Sequence, residues 1–152
     1  MRLTMMSDYA LRVLLYAAAH PERLVTIDET QDIYGISRGH LMKIVGVLAS
    51  AGILRSQRGR TGGFTLGKPP EDIRLGDVLR LTEPDFEMVE CFAPTNACAI
   101  TPFCRLPGIV TEALDAFMGV MYRHTLADLI IRPQDFGVIA AARAARNERP
   151  SP

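Results

Sequence analysis

The run Ile53-Leu54-Arg55-Ser56-Gln57-Arg58-Gly59-Arg60-Thr61-Gly62-Gly63-Phe64-Thr65-Leu66 decides the fold. Two short segments of alternating polarity flank a glycine-rich turn that carries Arg58 and Arg60, which is the pattern of a β-hairpin. Gly59, Gly62 and Gly63 are ordinary turn residues, and the Lys-Ser/Thr pair of a phosphate-binding P-loop is missing. What precedes the hairpin gives it meaning. Ser37 caps a helix to about Ala51, ended by Gly52, in which Leu41, Ile44, Val45 and Leu48 recur at spacings of three, four and seven. Before it, Thr26 with Glu29 three residues on forms a capping-box pattern, opening a short helix that carries Ile27 and Ile33 and stops at Gly35. Two helices joined by a tight glycine-containing turn are a helix-turn-helix, whose second helix enters a major groove. A basic hairpin directly after it is the wing of a winged helix, set to place guanidiniums against phosphates or into a minor groove.

The face opposite the apolar stripe agrees. At about 100° per residue, Gly39, Lys43, Gly46 and Ser50 line it, with His40 on its shoulder and Arg38 at its start. Each glycine inside a helix costs about 0.5 to 1 kcal/mol relative to alanine, so two on one face imply close approach by something outside. Overall charge is neutral, with seventeen basic and seventeen acidic residues, and predicts no partner. Its distribution does: from Ile33 to Pro70 there are Arg38, Lys43, Arg55, Arg58, Arg60 and Lys68 and no Asp or Glu. Ser37, Arg38, Gly39, His40, Lys43, Arg58, Arg60 and Thr61 are the expected contacts to double-stranded DNA.

Around this head the chain reads as mainly α with a small β-wing. A first helix is predicted from about Ser7, capped by Ser7 or Asp8, to Ala19, and a short one from Leu75 to Thr82. From about Arg105 to Tyr122 the residues Leu106, Ile109, Val110, Leu114, Phe117, Val120 and Met121 form an apolar stripe that a small winged domain leaves uncovered. The same helix of a second subunit is its expected cover, because a two-fold dimer sets two recognition helices about 34 Å apart, one turn of DNA. The predicted division is a winged helix-turn-helix domain over 1–80, a cluster-binding loop over 81–105, a dimerisation helix and following segment over 106–132, and a partly disordered C-terminal extension over 133–152. That extension holds a short helix from Gly137 to Arg146, with disorder from Asn147 to Pro152.

Cys91, Cys98 and Cys104 are the only cysteines, and all fall in one proline-interrupted stretch. An odd number of thiols cannot all pair, and no Cys-x-x-Cys of a zinc ribbon or thioredoxin site is present. Soft thiolates without that spacing point to an iron–sulfur cluster completed by a fourth ligand from elsewhere. No stretch approaches the roughly 18 apolar residues of a membrane span, and Asp8 and Arg12 interrupt what superficially imitates a signal peptide. Free clustered thiols fit a reducing compartment, so the protein is expected in the cytoplasm with no membrane partner.

The series Leu3-Thr4, Ser7-Asp8-Tyr9-Ala10-Leu11-Arg12, Tyr34-Gly35-Ile36-Ser37-Arg38, Arg58-Gly59-Arg60-Thr61-Gly62-Gly63, Leu66-Gly67-Lys68-Pro69 and Ile73-Arg74-Leu75-Gly76-Asp77-Val78 resembles the IscR-type winged-helix regulators. So do Cys98-Ala99-Ile100-Thr101-Pro102-Phe103-Cys104-Arg105-Leu106 and Thr125-Leu126-Ala127-Asp128-Leu129. The resemblance runs to about Ile131 and lies within the branch of nitric-oxide-sensing repressors. It implies a homodimer in which Cys91, Cys98 and Cys104 hold an iron–sulfur cluster, 4Fe-4S in preference to 2Fe-2S. Asp8, reaching across from the other subunit, is the implied fourth ligand. Glu83, Asp85, Glu87, Glu90 and His40 are the substitutes. The implied function is a transcriptional repressor whose cluster senses nitric oxide, nitrosylation releasing operator DNA. The alternatives are a regulator reporting cluster or iron status, and a thiol-based redox protein, which no nucleophile-base arrangement supports. No catalytic residue, and so no enzyme, is expected.

Overall fold

The computed structural model describes residues 2–59 and 61–147. Helix α1 (Met5–Ala19) opens two residues earlier than expected, because Thr4 is the N-cap and its hydroxyl accepts the Ser7 N–H at 3.3 Å. Ser7 is instead drawn inward. It is fully buried, with its hydroxyl 2.7 Å from Thr82 Oγ1 and donating to Glu83 Oε1.

The reading head follows the predicted order: α2 (Ile27–Tyr34), α3 (Arg38–Ser50), β1 (Leu54–Gln57) and β2 (Gly63–Leu66). The capping box of α2 is complete, with the Glu29 N–H donating to Thr26 Oγ1 at 3.1 Å and the Thr26 N–H to Glu29 Oε2 at 2.8 Å. Burial pushes the Glu29 carboxyl up, but the Thr26 bonds and the Arg23 guanidinium outweigh it and hold the group below the usual glutamate range. Thr26→Ala is expected to cost about 1 kcal/mol, read as a lower urea midpoint with an unchanged slope. Gly35, at φ 70°, ends α2 in the left-handed region that glycine enters at little cost. In α3 the stripe Leu41, Ile44, Val45 and Leu48 is buried against α1 and β1.

Strands β1 and β2 pair antiparallel, Leu54 opposite Leu66 and Gln57 opposite Gly63. A third line of backbone joins them where the Val25 and Phe64 amides exchange bonds of 2.9 and 2.8 Å. A Cβ on Gly63 would lie 2.5 Å from the Val25 carbonyl oxygen, so that contact requires glycine. Phe64, 1% exposed, fills the space beneath.

Beyond the wing come α4 (Leu75–Thr82), the cysteine loop, α5 (Leu106–Arg123) and α6 (Pro133–Asn147). A 3-10 turn at Leu126–Leu129 returns the chain to the body. There Leu126 is fully buried and its N–H donates to the Ile73 carbonyl at 2.8 Å. Helix α6 is longer than the Gly137–Arg146 expected, since Pro133 at its first position is preset for helical φ. It docks through Phe136, 3% exposed, whose ring stands edge-on to Tyr16 at 5.0 Å and to Tyr34 at 6.3 Å. Burial in this aromatic cluster pushes the Tyr34 hydroxyl up to about 12, so it stays neutral. The disorder expected at Asn147–Pro152 falls, beyond Asn147, outside the described residues.

Candidate nucleic-acid interface and cysteine loop

On α3 the side from Ser37 through Arg38, Gly39, His40, Lys43, Gly46 and Ser50 is exposed, as its spacing predicts. Ser37 holds the first turn, its Oγ accepting the His40 N–H at 3.5 Å and lying 3.1 Å from His40 Nδ1. The His40 ring sits 6.2 Å from that of Tyr9 on α1. The Arg38 guanidinium is ion-paired with Asp28 at the start of α2. Both side chains are largely exposed, so that pair is worth little, and exchange of Asp28 for a phosphate is nearly free. A Cβ built on Gly39 or Gly46 meets nothing within 4 Å. Among the described residues, no packing therefore asks for glycine at either place. Met42 stands exposed on the same face, three residues from Gly39 and four from Gly46; that spacing was the available signal, though the sequence reading passed over it.

In the wing, Arg58 and Thr61 are exposed, and Arg60 lies outside the described residues. The Gly62 N–H donates to the Gly59 carbonyl at 3.0 Å, with Gly59 at φ 115°. A Cβ on Gly62 would fall 2.5 Å from the Gln57 carbonyl oxygen, so this turn keeps its arginine-bearing tip only with glycine there.

The cysteine loop joins α4 to α5. Cys91 lies in a 3-10 turn at Glu90–Phe92, and Cys104 directly follows another at Thr101–Phe103. All three thiols are free and half-buried. Local bonds shape the loop: Cys98 N–H to Asn96 Oδ1 at 3.0 Å, Thr101 hydroxyl to the Cys98 carbonyl at 2.8 Å, and Leu106 N–H to Cys104 Sγ at 3.4 Å. Among the described residues no three His, Cys, Asp or Glu side chains converge on one metal ion, as a zinc site would require. Three unpaired thiols in one loop nevertheless fit an iron–sulfur cluster by chemistry, because its ligands bind different irons and need not share one coordination sphere.

Asp8 joins no such group among the described residues. Its carboxylate is held by the Arg12 guanidinium, at 3.2 Å from Nε and 2.7 Å from Nη2. The Arg12 guanidinium carbon in turn lies 5.7 Å from the Tyr9 ring centroid. Of the substitute ligands, Glu83 Oε1 accepts from the Thr4 N–H at 2.9 Å, the Thr4 hydroxyl at 3.2 Å and the Ser7 hydroxyl. Asp85 accepts the Glu87 N–H at 3.0 Å, and Glu90 the Ala97 N–H at 3.4 Å. The Glu83 bonds tie the start of the loop to the start of α1, a contact between residues too far apart in sequence for any local pattern to reveal.

Helix α5 buries only Met118 and leaves Leu106, Ile109 and Val120 exposed. Its C-terminal end is anchored, because the Tyr122 ring lies flush on Gly76, where a Cβ would come within 2.5 Å of Cδ1. Among the described residues no helix is long and apolar enough to cross a membrane.

The family profile described as Rrf2, iron-dependent transcriptional regulator, matches residues 3–132. The chain belongs to the Rrf2 family. Rrf2 relatives named HTH-type transcriptional regulator NsrR include one from Shouchella clausii, 42% identical over 137 residues that cover 89% of this chain and 92% of the relative. Another, from Bacillus subtilis, is 45% identical over 137 residues, covering 89% and 94%. Among solved structures, T. potens IscR superposes with a TM-score of 0.68 over 100% of this chain and 94% of its own; at 21% identity it shows the fold alone. CymR, the global cysteine regulator of B. subtilis, superposes with a TM-score of 0.66 at 25% identity, covering 85% of this chain and 95% of its own. The predicted architecture, mainly α with a small β-wing, is thus that of Rrf2 regulators, and the chain is a transcriptional regulator rather than an enzyme. Helix α6 begins just beyond the stretch that the Rrf2 profile matches.

Proposed function

We propose that this Rrf2 protein is a homodimeric repressor whose three cysteines hold an iron–sulfur cluster, and that nitric oxide, acting at the cluster, releases operator DNA. The observation that carries this reading is the set of three free thiols in a loop bonded through Glu83 to α1, the helix packed against the recognition helix. The names of the NsrR relatives support it. Residues 1–80 read DNA, 81–105 hold the cluster, 106–132 pair the protomers, and 133–152 extend the chain. A bound cluster, 4Fe-4S in preference to 2Fe-2S, supplies an iron open to a small diatomic ligand and a brace across the thiolates.

The chain's own residues do the rest. The Leu106 N–H, donating to Cys104 Sγ at 3.4 Å, fixes that sulfur at the start of α5. Asp8, serving the cluster of the other protomer, must first leave Arg12, and that half-exposed pair costs little to open. The freed guanidinium remains over Tyr9, whose ring neighbours His40, so the charge beneath the recognition helix changes with the state of Asp8. A coupling of about 1 to 3 kcal/mol is enough to switch occupancy. The exposed stripe Leu106, Ile109 and Val120 is the surface that a second copy covers, which sets the heads about 34 Å apart.

Electrophoretic shift with protein kept free of oxygen, before and after nitric oxide, tests the reading. A retarded complex that nitric oxide dissolves is expected. Unchanged affinity removes the sensing. Different preferred sites for apo and holo protein, with no selective response to nitric oxide, make the protein a reporter of cluster supply instead.

A further inference from the structure

From residue 33 to 70 the described residues place one large apolar side chain in solvent, Met42, 58% exposed. A single exposed apolar residue is ordinary, but the surroundings of this one are not. It stands on the outward side of α3 between Gly39 and Gly46, one turn away in each direction, and a Cβ at either glycine would touch nothing. Its thioether chain thus projects beside two stretches of bare helix backbone. Lys43 is next to it, and no Asp or Glu occurs between Ile33 and Pro70. This face is built to approach a polyanion closely, and Met42 is the large apolar group exposed on its flank.

The major groove offers one apolar feature, the C5 methyl of thymine. We infer that Met42 reads a thymine methyl in each half-site, a specificity contact that rests on the DNA-binding reading above. The bare glycines let the helix settle deep enough for the side chain to reach the groove floor. An unbranched, polarizable methionine adapts to the methyl without needing a hydrogen-bond partner. Arg38, His40 and Lys43 supply the polar contacts, so Met42 selects T·A at the pair beside theirs. It discriminates against C·G at the same place, where an amino group would meet an apolar side chain.

Duplexes selected from a randomised library by oxygen-free holoprotein provide the probe. The winning duplex is resynthesised with deoxyuridine replacing thymidine one position at a time, which deletes only the methyl. At one position per half-site, wild type is expected to lose about fourfold in affinity, the value of one buried methyl group. Met42→Ala, at an exposed helical site, removes the contact from both half-sites and is expected to bind the thymidine duplex about sixteenfold more weakly and to be indifferent to deoxyuridine there. Met42→Leu keeps the dependence. Equal loss for wild type and Met42→Ala, or no position at which deoxyuridine matters, overturns the Met42 contact while leaving DNA binding intact. Failure to select any duplex overturns the DNA-binding reading itself, and this contact with it.

Discussion

Alanine in place of any one of Cys91, Cys98 or Cys104 is expected to leave protein purified without oxygen colourless, with iron and sulfide near zero, while its circular dichroism stays that of the wild type. Three thiolates are the chain's own share of the cage, and capture of the cluster is expected to order the loop that carries them. Two thiolates then have to order the same loop with less binding energy, and the local bonds from Asn96, Thr101 and Leu106 shape single turns without closing the whole. The helical body has little at stake, because none of the three cysteines belongs to the buried core. Asp8→Ala is expected to behave differently. It removes the proposed oxygen ligand and leaves three thiolates, so cluster should be retained and only the response to nitric oxide altered. Iron and sulfide analysis beside thermal melts checks both. Full iron occupancy in a single-cysteine variant contradicts the assignment.

Leucine at Gly39 and Gly46 together is expected to move stability and function in opposite directions. Both positions face open space with helical backbone, so replacing glycine adds about 0.5 to 1 kcal/mol of helix stability at each. The same side chains hold the helix off the groove floor and forfeit two or more base contacts, each worth about 1 to 3 kcal/mol, so affinity falls by about 1000-fold. Urea denaturation and fluorescence anisotropy on one selected duplex read the two effects. A variant that melts higher and still binds normally shows that the bare face serves something other than DNA.

The parts of this protein written locally were legible. Thr26 and Glu29 announce the capping box, Ser37 and Gly52 bound the recognition helix, and the glycines between Arg58 and Gly63 announce the wing. Each depends on residues within a few positions of one another. What escaped depends on partners distant in sequence. Ser7 or Asp8 is the cap the local pattern offers for α1, but Thr82 and Glu83 recruit Ser7 into the interior, Asp8 falls within the first turn, and Thr4 does the capping. Val25 pairs with Phe64 through backbone alone, which no side-chain pattern records. Helix α6 is anchored by one aromatic, Phe136, while Val138 is 70% exposed, so its amphipathic signal was weak and its early start at Pro133 hidden. The three cysteines stand out in the sequence by type and clustering, and the cluster proposed for them rests on that pattern. Their partner Asp8 is held by Arg12 within the chain, and its proposed role belongs to the assembled dimer.

One cuvette holds the most direct test. Protein prepared without oxygen is mixed with its selected, labelled duplex and titrated with nitric oxide, while visible absorbance and anisotropy are recorded together and iron and sulfide are assayed beforehand. The account predicts a coloured protein with iron and sulfide in equal amounts, whose absorbance bleaches over the same additions that release the DNA. A colourless protein without iron that binds the duplex tightly and releases it to nitric oxide all the same would contradict it.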